Sequence, residues 1–269
     1  TGVVLLVRYG ELSLKSPYVR RQLEDRLVAN VQAMFAASGV ECVVRRERGR
    51  LFVHAEDEAT ALRLLRRVFG IVSISPAKET TSDLDSLTAF VVDYARGLLT
   101  SGKTFAIRPR RSGQHPYTSQ ELARVLGRAV QEAIPGLAVD LDRPDVELGV
   151  EVRGPKAYVF HETAEGPGGL PVGTQGRVAA AVDTRDGMVA AWLLMRRGCH
   201  IVAAEDSGFV EALRRWDPGV EVGGGRRDVL GVVRAATAAS VRTETIALDP
   251  LVGLSEDDVR SLAARIEGT

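Results

Sequence analysis

Residues 178–204, VAAAVDTRDGMVAAWLLMRRGCHIVAA, set the tightest limit on what this chain can fold into. An apolar run is followed by a short polar turn, a segment apolar at helical spacing, and a second apolar run. The pattern predicts a strand over 178–182, a helix over 187–197, a strand over 200–204 and another helix over 209–216. That order is α/β. Its strand–turn–helix start is the layout that grips phosphate at a helix N-terminus. The turn itself, DTRDG, carries carboxylates where such sites carry glycines and a hydroxyl.

The N-terminal half follows a different order. VVLLV (3–7) is a β-rich run ended by the turn-like YGEL. Leu23, Leu27, Val31 and Met34 recur at helical spacing, which predicts a helix over 16–37 closed at Gly39. VECVVRRERGRLFVHA reads as a hairpin turning at Gly49. EDEATALRLLRRVFG is a second helix, acidic in its first turn and basic in its last as the helix dipole favours, and IVSISPA is a further strand. Strand–helix–strand–strand–helix–strand within residues 1–76 is the ferredoxin-like, α+β pattern.

From Lys78 the chain reads as a helix over 84–99, the strand TFAIRPR, and a helix opened by Ser119 and ended by Pro135–Gly136. Strands separated by turns follow in VDLDRPDVELGVEVRGPKAYVFHETAEG. GPGGLPVGTQG (166–176) has five glycines and two prolines and reads as a linker. A last helix opens at Ser255, with Asp258 three residues on, in a capping arrangement.

Lysine plus arginine equals aspartate plus glutamate, 35 each, so no global charge points to nucleic acid and any basic surface is local. The 269 residues suffice for two or three domains. Two distant cysteines, Cys42 and Cys199, argue against a disulfide framework or a cysteine-based zinc site. No apolar stretch approaches the roughly 20 residues of a membrane span. TGVVLLVRYG lacks a signal-peptide cleavage pattern, so a cytoplasmic location and no membrane partner are expected.

Local basic surface is concentrated in one place. From Tyr94 through Gln120 there is no acidic residue, while Lys103, Arg108, Arg110 and Arg111 are positive. Arginine forks suit bidentate phosphate contacts. His115 and Tyr117 are of the type that stacks on an exposed base. A solvated strand edge carrying charge against aggregation is the plainer alternative. His54, His161 and His200 show no ligand spacing, and Asp140, Asp142 and Asp145 suit a strand–turn edge better than a metal site. Glu205 and Asp206 fall at the C-terminal end of an expected strand, where open sheets place ligands.

FAIRPRRSGQHPYTSQELARVLG (105–127) resembles the central segment of the THUMP domain, an RNA-binding module of tRNA-modifying enzymes. RYGELSLK (8–15), VFGIVSISPA (68–77), YVFHETAEGPGGLPVGTQGRV (158–178), VAAWLLMRRG (189–198) and LDPLVGLSEDDVRSLAARIEGT (248–269) resemble the tRNA 4-thiouridine synthases in the same order. The resemblance implies a ferredoxin-like domain over 1–76, a THUMP domain over 77–174 and a shortened Rossmann-like PP-loop-type α/β domain over 175–269. It also implies that the first two domains hold the acceptor stem and 3′ end of tRNA. In the family the third adenylates a uridine with ATP and Mg²⁺, and a persulfide sulfur then replaces the activated oxygen.

The same resemblance exposes a departure. The family places SGGIDSP before its VAAY helix; here VAAW (189–192) follows VDTRDGM. Val182 stands for the first serine, Asp183 and Thr184 for the two glycines, and Gly187 for the second serine, while Asp186 coincides with the family aspartate. A β-carbon at both glycine positions restricts the backbone that closes around phosphate. Asp183 sets a carboxylate against an anion, costing about 1 kcal/mol at 4 Å in water. Arg185 is the counterweight. Gly223–Gly225 is weak evidence of another phosphate loop, and no cysteine follows Cys199 to carry sulfur. These residues predict a tRNA-binding family member with a degenerate nucleotide loop (Asp183, Thr184, Arg185, Asp186 and Gly187), unable to adenylate alone. It would need neither metal nor cofactor, with ATP and Mg²⁺ entering only if the loop still functions. Its partners would be tRNA and a second copy or a separate catalytic subunit. The alternatives are an active tRNA sulfurtransferase using ATP and a sulfur carrier in trans, and an assembly or regulatory partner of a tRNA-modifying enzyme.

Overall fold

The computed structural model describes residues 3–10, 16–47, 49–223, 229–235 and 246–268. In the N-terminal domain, β1 (Val3–Tyr9) leads to α1 (Pro17–Ala37), the hairpin β2 (Val43–Glu47) and β3 (Arg50–Ala55), then α2 (Glu58–Leu65) and β4 (Ile71–Thr81). The element order is the ferredoxin-like one, with strands arranged β2-β3-β1-β4. Leu23, Leu27, Val31, Met34 and Phe35 are the buried stripe of α1, three and four residues apart as one helix face requires. Pro17 at its first position needs no N–H partner, and Ser16 Oγ accepts from the Val19 amide. Past the Ser38 cap, Gly39 at φ +66° stops the helix.

The second domain adds α3 (Leu84–Arg96), β5 (Thr104–Ser112), α4 (Ser119–Ala133), β6 (Ala138–Val139), β7 (Val146–Arg153) and β8 (Lys156–Phe160). β5 pairs in parallel with β7, β7 antiparallel with β8, and β8 antiparallel with Lys78–Thr81 of β4. Phe105, Ile107, Leu148, Val150 and Val152 point from the sheet into Leu87, Val91, Leu122, Leu126 and Val130 of the two helices. α4 opens at Ser119 as expected, with Thr118 as its cap. The Thr118 hydroxyl accepts from the Glu121 amide while the Glu121 carboxylate accepts from the Thr118 amide, a reciprocal box that fixes the helix start.

Downstream, β9 (Ala164–Glu165) pairs with Ser73–Ile74. Then come β10 (Arg177–Ala180), α5 (Arg185–Arg196), β11 (His200–Ala203), α6 (Gly208–Arg214), β12 (Glu221–Val222), β13 (Gly231–Val233), β14 (Ala247–Leu248) and α7 (Glu256–Glu267). The strands β12-β11-β10-β13-β14 are all parallel in that spatial order. The first strand therefore sits in the middle and the chain reverses direction across the sheet between β10 and β13. That is a doubly wound, Rossmann-like arrangement. The Ser255 hydroxyl and Asp258 carboxylate form a capping box on α7.

The chain divides into two compact units, Val3–Leu6 with Ser75–Thr163, and Val7–Ile74 with Ala164–Thr269. In the latter, the segment 166–176 is not the free linker its composition suggests. Amides of Gly166 and Gly168 donate to Val72 and Ile71 at 2.8 Å, and those of Leu170 and Gly173 donate to Arg196 and Gly198 at 3.0 and 2.9 Å. Glycine is used here for close approach. Gly169 has φ +75°, and a β-carbon on it would stand 2.2 Å from the Arg196 carbonyl oxygen. Phe69 also enters the C-terminal core, its ring centroid 5.2 Å from Trp192 and 5.6 Å from Trp216. Among the described residues no helix is long and apolar enough to cross a membrane.

Candidate functional site

The alternation of β5 separates its basic residues from its core. Phe105 and Ile107 face the helices, so Arg108 and Arg110 fall on the opposite, exposed face. Acids claim part of this charge. Lys103 Nζ lies 3.6 Å from Asp145, and Arg108 Nη2 lies 2.8 Å from Glu147 and also donates to the Leu141 carbonyl at 2.6 Å. Arg110 is exposed and has no ion-pair partner among the described residues. Arg111, one position on, is half-buried on the helix side near Tyr117 and Glu121, with its Nε lacking a hydrogen-bond partner.

Tyr117 does not offer the base-stacking surface expected of it. Its side chain is 6% exposed, and its hydroxyl donates to the Ser82 carbonyl at 2.6 Å. Burial pushes its hydroxyl pKa up, with the Arg111 guanidinium pulling the other way. His115 stacks on it at 5.8 Å and meets the Gly154 carbonyl through Nε2 at 3.0 Å. The pair closes the β5–α4 loop, where Gly113 at φ +97° turns the chain. Tyr117 joins the core cluster that includes Leu122 and Leu126 of the amphipathic α4, and nothing local to HPYTS distinguishes that burial from exposure.

Sequence reasoning also missed Glu151 and Arg153. Glu151 is 2% exposed, pairs in register with Arg110, and its Oε1 accepts from Arg153 Nε and Nη2 at 2.8 and 2.6 Å. The signal was present: Glu147, Gly149, Glu151 and Arg153 alternate along VELGVEVR and share one face. Asp140 behaves as the turn residue expected, its Oδ1 accepting the Asp142 and Arg143 amides at 2.9 Å.

The second candidate region is the loop between β10 and α5, at the C-terminal edge of the parallel sheet, where the chain reverses. Thr184 is the N-cap, φ −129° and ψ 162°, with its Oγ1 accepting the Gly187 amide at 3.1 Å. Asp183, Thr184, Arg185 and Asp186 are exposed. Gly187 is buried, and a β-carbon there would stand 2.3 Å from the Ala181 carbonyl oxygen, so this backbone has no room for a serine. Val182 is buried and its carbonyl accepts from Ser207 Oγ at 2.6 Å. With the Gly187 amide taken by Thr184, the amides of Arg185 and Asp186 are what the helix start offers an anion. Two carboxylates flank them. Arg185 is the one cation of this loop, set against Asp183 and Asp186.

Other residues meet this edge. Asp206, after β11, lies 3.3 Å from Arg214 Nη1. Arg234, after β13, grips Asp249 with Nε–Oδ1 2.9 Å and Nη2–Oδ2 2.6 Å, a bidentate pair the sequence reading did not single out. Gly223 turns at φ +71°, whereas Gly224 and Gly225 lie outside the described residues, as do residues 11–15 of RYGELSLK.

At the opposite end of the sheet, His200 Nδ1 is 3.5 Å from Asp217 Oδ2 and Nε2 is 3.1 Å from Glu221 Oε1. The Asp217 carboxylate, opposed by burial and reinforced by Glu221, raises the His200 pKa above 6.5. Burial pushes the thiols of Cys42 and Cys199 up, against thiolate chemistry at either. No group of three or more His, Cys, Asp and Glu side chains among the described residues is arranged to hold a metal ion.

Comparison with known proteins adds a second line. The ThiI ferredoxin-like domain matches residues 4–75 and the THUMP domain residues 81–162. The probable tRNA sulfurtransferase of Methanothermobacter thermautotrophicus is 43% identical over 206 residues, 74% of this chain and 51% of that protein. That of Methanosarcina acetivorans is 40% identical over 236 residues, 80% and 57%. The chain thus spans about half the length of the curated relatives it matches. Among solved structures, PH1313 from Pyrococcus horikoshii superposes with a TM-score of 0.83 at 26% identity, covering 98% of this chain and 99% of that one. A 4-thiouridine synthetase, solved as an RNA complex with bound ATP, gives 0.76 at 22% identity, covering 99% and 85%, a likeness of fold.

Proposed function

The chain belongs to the tRNA 4-thiouridine synthase family, and on that premise we propose that it acts on tRNA in sulfur transfer. The observation that carries this reading is the 43% identity to a probable tRNA sulfurtransferase across three quarters of the chain. On this reading the chain is a tRNA sulfurtransferase that draws on ATP and on a sulfur carrier supplied in trans. Its tRNA surface is the exposed face of β5, centred on Arg110, with Arg111 reaching it from the helix side. Lys103 and Arg108 contribute once their acidic partners yield, and His115 and Tyr117 shape the adjoining loop. Residues 1–76, 77–174 and 175–269 are the proposed ferredoxin-like, THUMP and PP-loop-type domains.

The loop supports a second reading. With Asp183 and Thr184 in place of two glycines, and Gly187 packed too closely for a hydroxyl-bearing side chain, the chain binds tRNA without adenylating it. It then presents tRNA to a separate catalytic subunit.

Calorimetric titration with ATP and Mg²⁺, run beside a tRNA-binding assay, separates the two. Micromolar nucleotide binding abolished by Asp186→Ala supports the sulfurtransferase. No heat from nucleotide, with salt-sensitive tRNA binding intact, supports the second reading. Failure to bind tRNA removes both.

A further inference from the structure

We propose that Arg63, Arg67 and Arg215 form a second cationic patch that takes successive phosphates of a structured RNA. The proposal rests on the tRNA reading above and names a surface that reading does not include.

Two elements bring these side chains together. Arg63 lies in the last turn of α2, and Arg67 follows the helix with its amide donating to the Leu64 carbonyl at 3.0 Å. Arg215 caps α6. Phe69 and Trp216 stack at 5.6 Å, and since they stand two and one residues beyond Arg67 and Arg215, their contact fixes the two exits side by side. Both guanidiniums converge on the end of α7. Arg215 Nη1 donates to the Glu267 carbonyl at 2.9 Å, and Arg67 Nη2 lies 3.4 Å from where a β-carbon on Gly268 would stand.

What they lack is an acid. None of the three has a carboxylate within ion-pair distance among the described residues, whereas the adjacent Arg214 holds both Asp206 and Glu211. Asp57, at the other end of α2, is the acid whose charge senses Arg63. Burial first, then repulsion from Arg215 and Arg63, lowers the affinity of Arg67 for its proton. A helix C-terminus attracts a cation, and Arg215 on the Glu267 carbonyl satisfies that need for α7. Arg63 does the same for the last turn of α2, and Arg67, past that helix, adds a further cation. In a chain with equal numbers of acidic and basic residues, like charges held together unpaired await an anion. Guanidiniums on two elements match spaced phosphates better than one small anion.

The experiment measures tRNA affinity against salt concentration for the unaltered chain, Arg63→Gln/Arg67→Gln and Arg110→Gln, with thermal unfolding of each. The double variant is expected to bind about tenfold more weakly near 0.1 M salt, with a salt slope lower by about two. Its thermal midpoint should stay level or rise as repulsion is relieved. Affinity and slope equal to the unaltered chain, with Arg110→Gln weakened, overturn the patch and leave the tRNA reading standing. Absence of tRNA binding by the unaltered chain overturns both. Thermal protection by inorganic phosphate that the double variant loses, with its tRNA affinity intact, overturns the RNA assignment. If the double variant does not fold, exposed Arg63→Gln carries the same test with a slope change of about one.

Discussion

Thr184 Oγ1 accepts the Gly187 amide at 3.1 Å, so the α5 N-terminus is closed by its own cap. Restoring glycine at Asp183 and Thr184 together removes both the cap and one carboxylate. Calorimetry with ATP and Mg²⁺ should then show tighter binding than the unaltered chain, at a stability cost of a few tenths of a kcal/mol for glycine in place of the capping threonine. Equal or weaker nucleotide binding would mean that these two positions do not limit the site.

Arg110 and Arg108 are neighbours on one face of β5, yet among the described residues only Arg108 is matched by an acid, Glu147 at 2.8 Å. Arg110→Gln should therefore lower the salt slope of tRNA binding by about one, and Arg108→Gln by less. Equal effects in a filter-binding salt series would refute the division.

His200 sits between Asp217 and Glu221, which raise its folded-state pKa. Its contribution to stability is complete below the unfolded value of about 6.5 and is lost as pH rises through the raised folded value. Urea midpoints should fall with pH in that window for the unaltered chain. His200→Gln should flatten this component; an unchanged pH profile would show that the imidazole carries none of it.

Phe69 joins the N-terminal domain to the Trp192–Trp216 cluster. Phe69→Ala should cost about 3–5 kcal/mol by denaturant unfolding and shift the tryptophan emission. A loss below 1 kcal/mol with unchanged emission would mean that the cluster packs independently of it.

Local chemistry is what a one-dimensional reading handles well, and α1 shows why. Its buried positions, proline start and glycine stop all act within a few residues, so the span from 16 to 37 was legible. The Ser255–Asp258 box and the Gly49 hairpin were legible for the same reason. The segment 166–176 was not, because glycine and proline look alike whether they free a chain or let it approach another closely.

By itself, the sequence of this protein determined its element order, its family and the departure at Asp183 and Thr184, since each is written in neighbouring residues. Tertiary structure alone decided which charges are available. It paired Lys103 and Arg108 with acids some 40 positions away, buried Tyr117, and gathered Arg63, Arg67 and Arg215 with no acid at ion-pair distance among the described residues. Electrostatic strength depends on distance and solvent exposure, and for residues far apart in the chain only folding sets either.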